Sequence, residues 1–162
     1  MAKLLLSIHV LAAILLIGPV TIAASLFPRC ARQALAAGPE QQSAKGSVRL
    51  LHRICRVYAV AGVSVPAFGI GTAEVMGVMG SAWLIVSMAL TAVAAVLLGI
   101  AVLGTQDDVV AQLDKPDQAS TAAESLIARL PRLSMITGLF ALVWLIVVVL
   151  MIFRPGSTTG AY

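Results

Sequence analysis

Residues 29–56 read RCARQALAAGPEQQSAKGSVRLLHRICR, and the charge of this stretch decides the fold. Arg29, Arg32, Lys45, Arg49, Arg53 and Arg56 stand here against a single acid, Glu40. On either side lie runs apolar enough to cross a bilayer, Leu4 to Phe27 before it and Ile54 to Val75 after it. In bacteria, loops dense in Lys and Arg resist translocation and meet anionic headgroups on the cytoplasmic face. The stretch therefore reads as an inner basic loop, residues 28–53, joining transmembrane helix 1 (4–27) to transmembrane helix 2 (54–75).

Composition agrees. The 162-residue chain is 60% hydrophobic and 11% charged, and its charges are clustered instead of spread over a surface, so a soluble domain is excluded. Aromatics are only 5%, whereas Ala, Val, Leu and Gly abound, which suits close helix packing in lipid. A nucleic-acid footprint would need a basic folded face with interleaved aromatics, and the net charge of +4 is instead a topology signal. No nucleic-acid partner is expected; the lipid bilayer is.

Working outward, helix 1 carries Gly18-Pro19 past its middle, where the missing amide predicts a kink and Thr21 or a neighbouring helix could take the freed carbonyl. Its length exceeds that of a signal peptide. On the other side of the basic loop, the helical pattern resumes at Ser47 and puts Arg49, Arg53 and Arg56 on one face, a collar for headgroups or an acidic partner. An outer turn at 76–81 leads to helix 3 (82–103), in which Ser87, Thr91, Ala95 and Gly99 recur every fourth residue. Small residues at that spacing let two backbones approach closely, so this face is expected to pack another helix, internal or of a partner protein.

The second inner loop, 104–132, carries Asp107, Asp108, Asp114, Asp117 and Glu124 against Lys115, Arg129 and Arg132, with Pro116 and Pro131 as breaks. Thr121-Ala122-Ala123-Glu124 fits a capping box opening a short amphipathic interfacial helix. Ion pairs between the two inner loops are expected at ~0–1 kcal/mol each. Helix 4 (133–153) is uniformly apolar, and Arg154-Pro155 ends it before an outer tail, 154–162. Of the eleven Lys and Arg residues only Lys3 and Arg154 lie outside the two inner connections and their borders. The expectation is an all-α integral membrane protein of the bacterial inner membrane. It is a single four-transmembrane-helix bundle with both termini outside and the long loops cytoplasmic.

The residues that could carry chemistry are few. His9 lies about two turns into helix 1 from the outside and His52 at the inner mouth of helix 2, roughly a bilayer apart, so one haem cannot bind both. On the inner side, His52 and Cys55 share a helix face and Cys30 follows helix 1; as reduced thiols beside a histidine they are weak metal candidates, short of four ligands. On the outer side, Met76, Met79, Met88 and Met151 fall toward the outer ends of helices 2, 3 and 4, with Met88 at about the depth of His9, the soft set that copper(I) or a His/Met haem would use. The bland account makes those methionines gap-fillers, with His9 bonded to a neighbouring helix. No cofactor is expected, and His9, Met88 and Met151 are the candidates should one bind.

The opening His9-Val10-Leu11-Ala12-Ala13-Ile14-Leu15-Leu16-Ile17-Gly18 resembles the first helix of small bacterial four-helix proteins described as predicted integral membrane proteins, distant relatives of the copper-resistance D membrane domain. The ending, Val148-Val149-Leu150-Met151-Ile152-Phe153-Arg154-Pro155-Gly156, is similar to their closing Met-x-x-Lys/Arg-Pro. Ile17 stands where that pattern has an aromatic. The resemblance implies that His9 is the family's first-helix histidine and implies no activity.

No phosphate loop, nucleophile elbow, HExxH or intramembrane carboxylate pair is present, so the protein is not expected to be an enzyme. The leading expectation is a non-catalytic accessory subunit or assembly factor of a larger membrane complex, for instance a respiratory one, meeting other integral membrane subunits through helix 3 or the inner loops. One alternative is copper or haem handling by His9 and the outer methionines. Another is a small oligomeric transporter, for which only His9, Thr21, Ser64 and Thr91 could line a polar path.

Overall fold

A computed structural model describes residues 2–36, 38–115 and 119–156. Its elements are α1 (Ala2–Leu35), α2 (Gln41–Gly62), α3 (Ser64–Val75), α4 (Ala82–Val96), a π-wound segment (Leu97–Leu103), α5 (Gly104–Leu113) and α6 (Ala119–Phe153). Four continuous helices are long and apolar enough to cross a membrane: Lys3–Leu35, Gln41–Val75, Ala82–Leu113 and Thr121–Phe153. They alternate in direction. One end of the bundle carries the start of α1, the end of α6 and the 76–81 turn, and is called the terminal end; the other carries the basic stretch and the acidic connection.

The packing follows a seam of three- and four-residue steps. Along α1 the seam runs through His9, Ile17, Val20, Ala24, Phe27, Ala31 and Ala34, with Ala23 and Pro28 buried beside it; along α2 it runs through Ala44, Val48 and Cys55, with Leu51 half-buried between them. Spacing that alternates four and three keeps one stripe facing a partner helix, and alanine on the stripe brings the backbones close. α1 and α2 make the most extensive helix pair of the bundle. α6 repeats the rule with Leu126, Leu130, Leu133, Thr137, Phe140 and Val147, packing on α1 and α4. In the third span the seam takes successive four-residue steps, Ala94, Leu98, Val102 and Gln106; the π-wound turn lies across them and takes up the extra residue.

Four expectations are corrected. The basic loop 28–53 is mostly helix: α1 continues through Pro28 to Leu35, and α2 begins at Gln41, not Ser47. At ~1.5 Å per residue the 33-residue span of α1 measures about 50 Å, well beyond a ~30 Å hydrocarbon core. Backbone hydrogen bonding does not require an apolar sequence, so the helices stop only near Gly38-Pro39. In the same way 104–132 contains α5 and the first turns of α6, and the connection between them lies at 114–118. The separate interfacial helix does not form: α6 starts at Ala119, Thr121 lies inside it instead of capping it, and Pro131 is accommodated within the helix. Pro116 and Asp117 fall outside the described residues, as does most of the 154–162 tail. Finally, Thr21 bonds the carbonyl of Ile17 at 3.0 Å, its own i−4 position, and not the carbonyl freed by Pro19.

Pro66 does interrupt helix 2. Lacking an amide, it cannot bond the carbonyl of Gly62, and α2 gives way to α3 at Val63. At the other end of the fold Arg154 adopts φ +42° and ends α6; its guanidinium lies 5.7 Å from the centroid of the Trp83 ring.

Candidate functional site

The break at Val63 shapes the bundle. At the basic end α2 reaches both the π-wound segment and α5, closing the four helices on one another; at the terminal end α3 packs on α1 but not along α4. The result is an apolar cleft toward the terminal end. Its upper part is a cavity of about 280 Å³ walled by His9 and Ala13 of α1, Val65, Pro66 and Gly69 of α3, Met88, Thr91 and Ala95 of α4, and Trp144, Val148 and Met151 of α6. A second hollow of about 380 Å³ shares Pro66, Thr91, Ala95 and Trp144 with it and continues past Gly62, Gly99 and Phe140.

His9 is the polar centre of this cleft. It occupies a seam position of α1 where an apolar residue would ordinarily sit, and it is 7% exposed. Its Nδ1 lies 2.9 Å from the carbonyl oxygen of Val65. A carbonyl only accepts, so Nδ1 carries the proton and donates, and in the neutral ring Nε2 keeps its lone pair. Nε2 has no hydrogen-bond partner among the described residues and is not sealed from the cavity. The ring lies flat enough on α3 that a Cβ at Gly69 would stand 3.0 Å from Cε1, so glycine at 69 is what admits the imidazole. The hydroxyl on the wall, that of Thr91, donates to the Ser87 carbonyl of its own helix at 2.8 Å.

Met88 and Met151 thus share a wall with His9, while Met76 and Met79 belong to the end of α3 and the following turn and form no part of it. Thr21 and Ser64, which with His9 and Thr91 could have lined a polar path, donate to carbonyls of their own chain segments, Ile17 and Ala61.

The four-residue stripe of helix 3 divides. Ser87 is fully buried and bonds the Trp83 carbonyl at 2.8 Å, Thr91 is half-buried, and Ala95 and Gly99 are exposed. Four residues advance an α-helix by about 400°, so such a stripe drifts roughly 40° per step and winds from the interior to the exposed edge of the cleft. Ala94, one position earlier, takes the packed place.

At the basic end the structure assembles a network that residue spacing alone did not disclose. Gln106 is fully buried; its Nε2 donates to Cys55 Sγ at 3.5 Å and its Oε1 lies 3.3 Å from His52 Nδ1. His52 Nε2 is 3.2 Å from Asp107 Oδ1. His52 and Cys55 are therefore joined by an amide, and Cys30 lies apart on α1 as a half-buried free thiol packed against the core. Among the described residues no three His, Cys, Asp or Glu side chains gather as a metal site would need. Gln106 could have been suspected as a polar residue in register with Leu98 and Val102. Next to this network Arg49 and Asp114 pair at 2.6 Å between exposed side chains, the anticipated bridge between the two connections, while Arg53 and Arg56 stay exposed on the same face of α2.

No curated protein and no solved structure matches the chain. A family model does, over residues 3–155, that is, from the start of the first span to just beyond the last. The four spans, the buried first-helix histidine and the closing Arg154-Pro155 all fall inside that match, which brings no likeness to the copper-resistance D domain with it. The chain belongs to the predicted integral membrane protein family DUF2269.

Proposed function

We propose that this protein is a non-catalytic accessory subunit or assembly factor of a larger complex in the bacterial inner membrane, oriented with its basic end in the cytoplasm. The observation that carries the reading is the exposed, small-residue part of the third span at the edge of the cleft. Ala95 and Gly99 are exposed, and a Cβ placed on Gly99 would touch nothing within 4 Å, so close-approach residues stand where no helix of this chain is in contact with them. In lipid there is no hydrophobic drive between helices, and van der Waals contact across small residues supplies the association. The asymmetry of Lys and Arg supports the orientation, since nine of the eleven lie at or near the basic end.

The test is affinity purification of the tagged protein in mild detergent, wild type beside Gly99→Leu. A stoichiometric membrane partner that is retained by the wild type and lost from the variant, with the variant's own unfolding temperature unchanged, is the expected result. A wild-type preparation without a stoichiometric partner would overturn the reading.

A further inference from the structure

We propose that the terminal-end cleft binds a membrane-soluble phenol or quinol, with its hydroxyl donating to His9 Nε2, its ring beside Met88, Met151 and Trp144, and its apolar tail leaving along the lower hollow. The inference does not depend on a protein partner. Three observations converge on that chemistry. The first is the fixed proton of His9. Because Nδ1 is committed to the Val65 carbonyl at 2.9 Å, the ring presents an acceptor to the cavity, and a ligand head must donate. A quinone or another carbonyl, which only accepts, would leave two lone pairs facing each other.

The second is the wall around that acceptor. Two thioethers and an indole border the 280 Å³ cavity, and sulfur and aromatic groups both make favourable contacts with an aromatic ring. The third is length. The cavity shares a wall with a hollow of about 380 Å³ that is bounded by Ile17, Gly62, Leu98 and Phe140, an apolar run that suits a prenyl or alkyl tail and that a bare metal ion would not use. Thr91, the hydroxyl on the same wall, spends its proton on the Ser87 carbonyl and so, like His9 Nε2, offers the cavity only an acceptor. The site binds; no redox step is assigned to it.

A pair of probes isolates the hydroxyl. The full-length protein, with its histidines labelled with 15N, is placed in lipid nanodiscs and titrated with 4-decylphenol and, separately, with 4-decylanisole, the methyl ether with the same ring and tail but no donor. The phenol is expected to shift the His9 Nε2 resonance, identified by its loss in His9→Gln, and to bind roughly 2- to 13-fold more tightly than the ether, the range one net hydrogen bond is worth. Ala92→Leu, which fills the cavity from an exposed position of α4 without touching the His9 bond, should abolish the shift and leave the folded spectrum intact. Equal binding of phenol and ether would overturn the proposal in favour of tail burial alone. A His9 resonance that copper(I) shifts and the phenol does not would overturn it in favour of a His/Met metal site, and an Ala92→Leu protein that binds as wild type does would place the ligand elsewhere.

Discussion

The two ends of this bundle are built from the same apolar residues and behave differently. At the basic end α1 and α2 run together on alanines and Phe27, α5 closes over them, and the buried amide of Gln106 on α5 contacts both His52 and Cys55 of α2. At the terminal end Pro66 interrupts the hydrogen-bond ladder of helix 2 at Val63, α3 does not pack along α4, and the space left between them holds one imidazole and little else that is polar. The lesson is how a membrane bundle divides labour. Steady alternation of four- and three-residue steps with small side chains closes one end, and a single interruption of a backbone ladder opens the other. Open, partly unpartnered regions are where binding is found, because a fully satisfied interface has nothing left to offer a ligand.

That contrast can be broken in graded steps. Phe27 is fully buried where the closed end begins, so Phe27→Ala should have the largest effect, a loss of about 3 kcal/mol in reversible unfolding from detergent micelles. A loss below about 1 kcal/mol would mean that the closed end is looser than its seam implies. Gln106→Leu removes both contacts of the amide and leaves His52 Nδ1 and Cys55 Sγ without it; about 1–2 kcal/mol of destabilisation is expected, together with faster labelling of Cys55 by a membrane-permeant thiol reagent. Unchanged Cys55 labelling would show that the network does not hold α5 on α2.

The open end responds to a smaller change. Gly69→Ala drives a methyl against the His9 ring, whereas Gly71→Ala, two residues along the same helix, meets nothing within 4 Å. The first should shift the His9 nitrogen resonances and cost roughly 1 kcal/mol as the Val65 bond loosens. The second should be neutral or slightly stabilising by helix propensity. Indistinguishable spectra for the two variants would remove the argument for glycine at 69. Smallest of all is Asp114→Asn, which breaks an ion pair between side chains that are about half exposed. A change of no more than ~1 kcal/mol that disappears at high salt is expected, and a larger, salt-independent loss would mean that the bridge is not a surface contact.

Much of this was readable in the residues. The four spans, their order and the pairing of charges between the two connections follow from hydropathy and sign, because the bilayer imposes a length and a polarity on any segment that crosses it. His9 and Met88 at a common depth were likewise legible from counting turns. The extent of the helices was not. Residues 28–53 look like a loop because their exposed positions are charged, yet Ala31, Ala34, Ala44 and Val48 carry a seam straight through the charge, and alanine is too weak a hydrophobic signal to announce it. Thr121 to Glu124 resembled a helix start for a related reason: a capping pattern is local, and it cannot tell that the preceding residues are already wound.

By itself, then, the sequence determined that this chain is an all-helical membrane protein of four spans with one strongly basic end, since composition and period act on every residue independently of its neighbours in space. Only the tertiary structure decided which groups meet: that Gln106 reaches Cys55, that the Ser87 to Gly99 stripe winds from the core to the exposed edge of the cleft, and that His9 spends one nitrogen on Val65 and keeps the other for the cleft. Those outcomes depend on how far each helix has rotated and where one proline lets it bend. Small rotations accumulate over a span, and their sum is fixed by packing against the other helices.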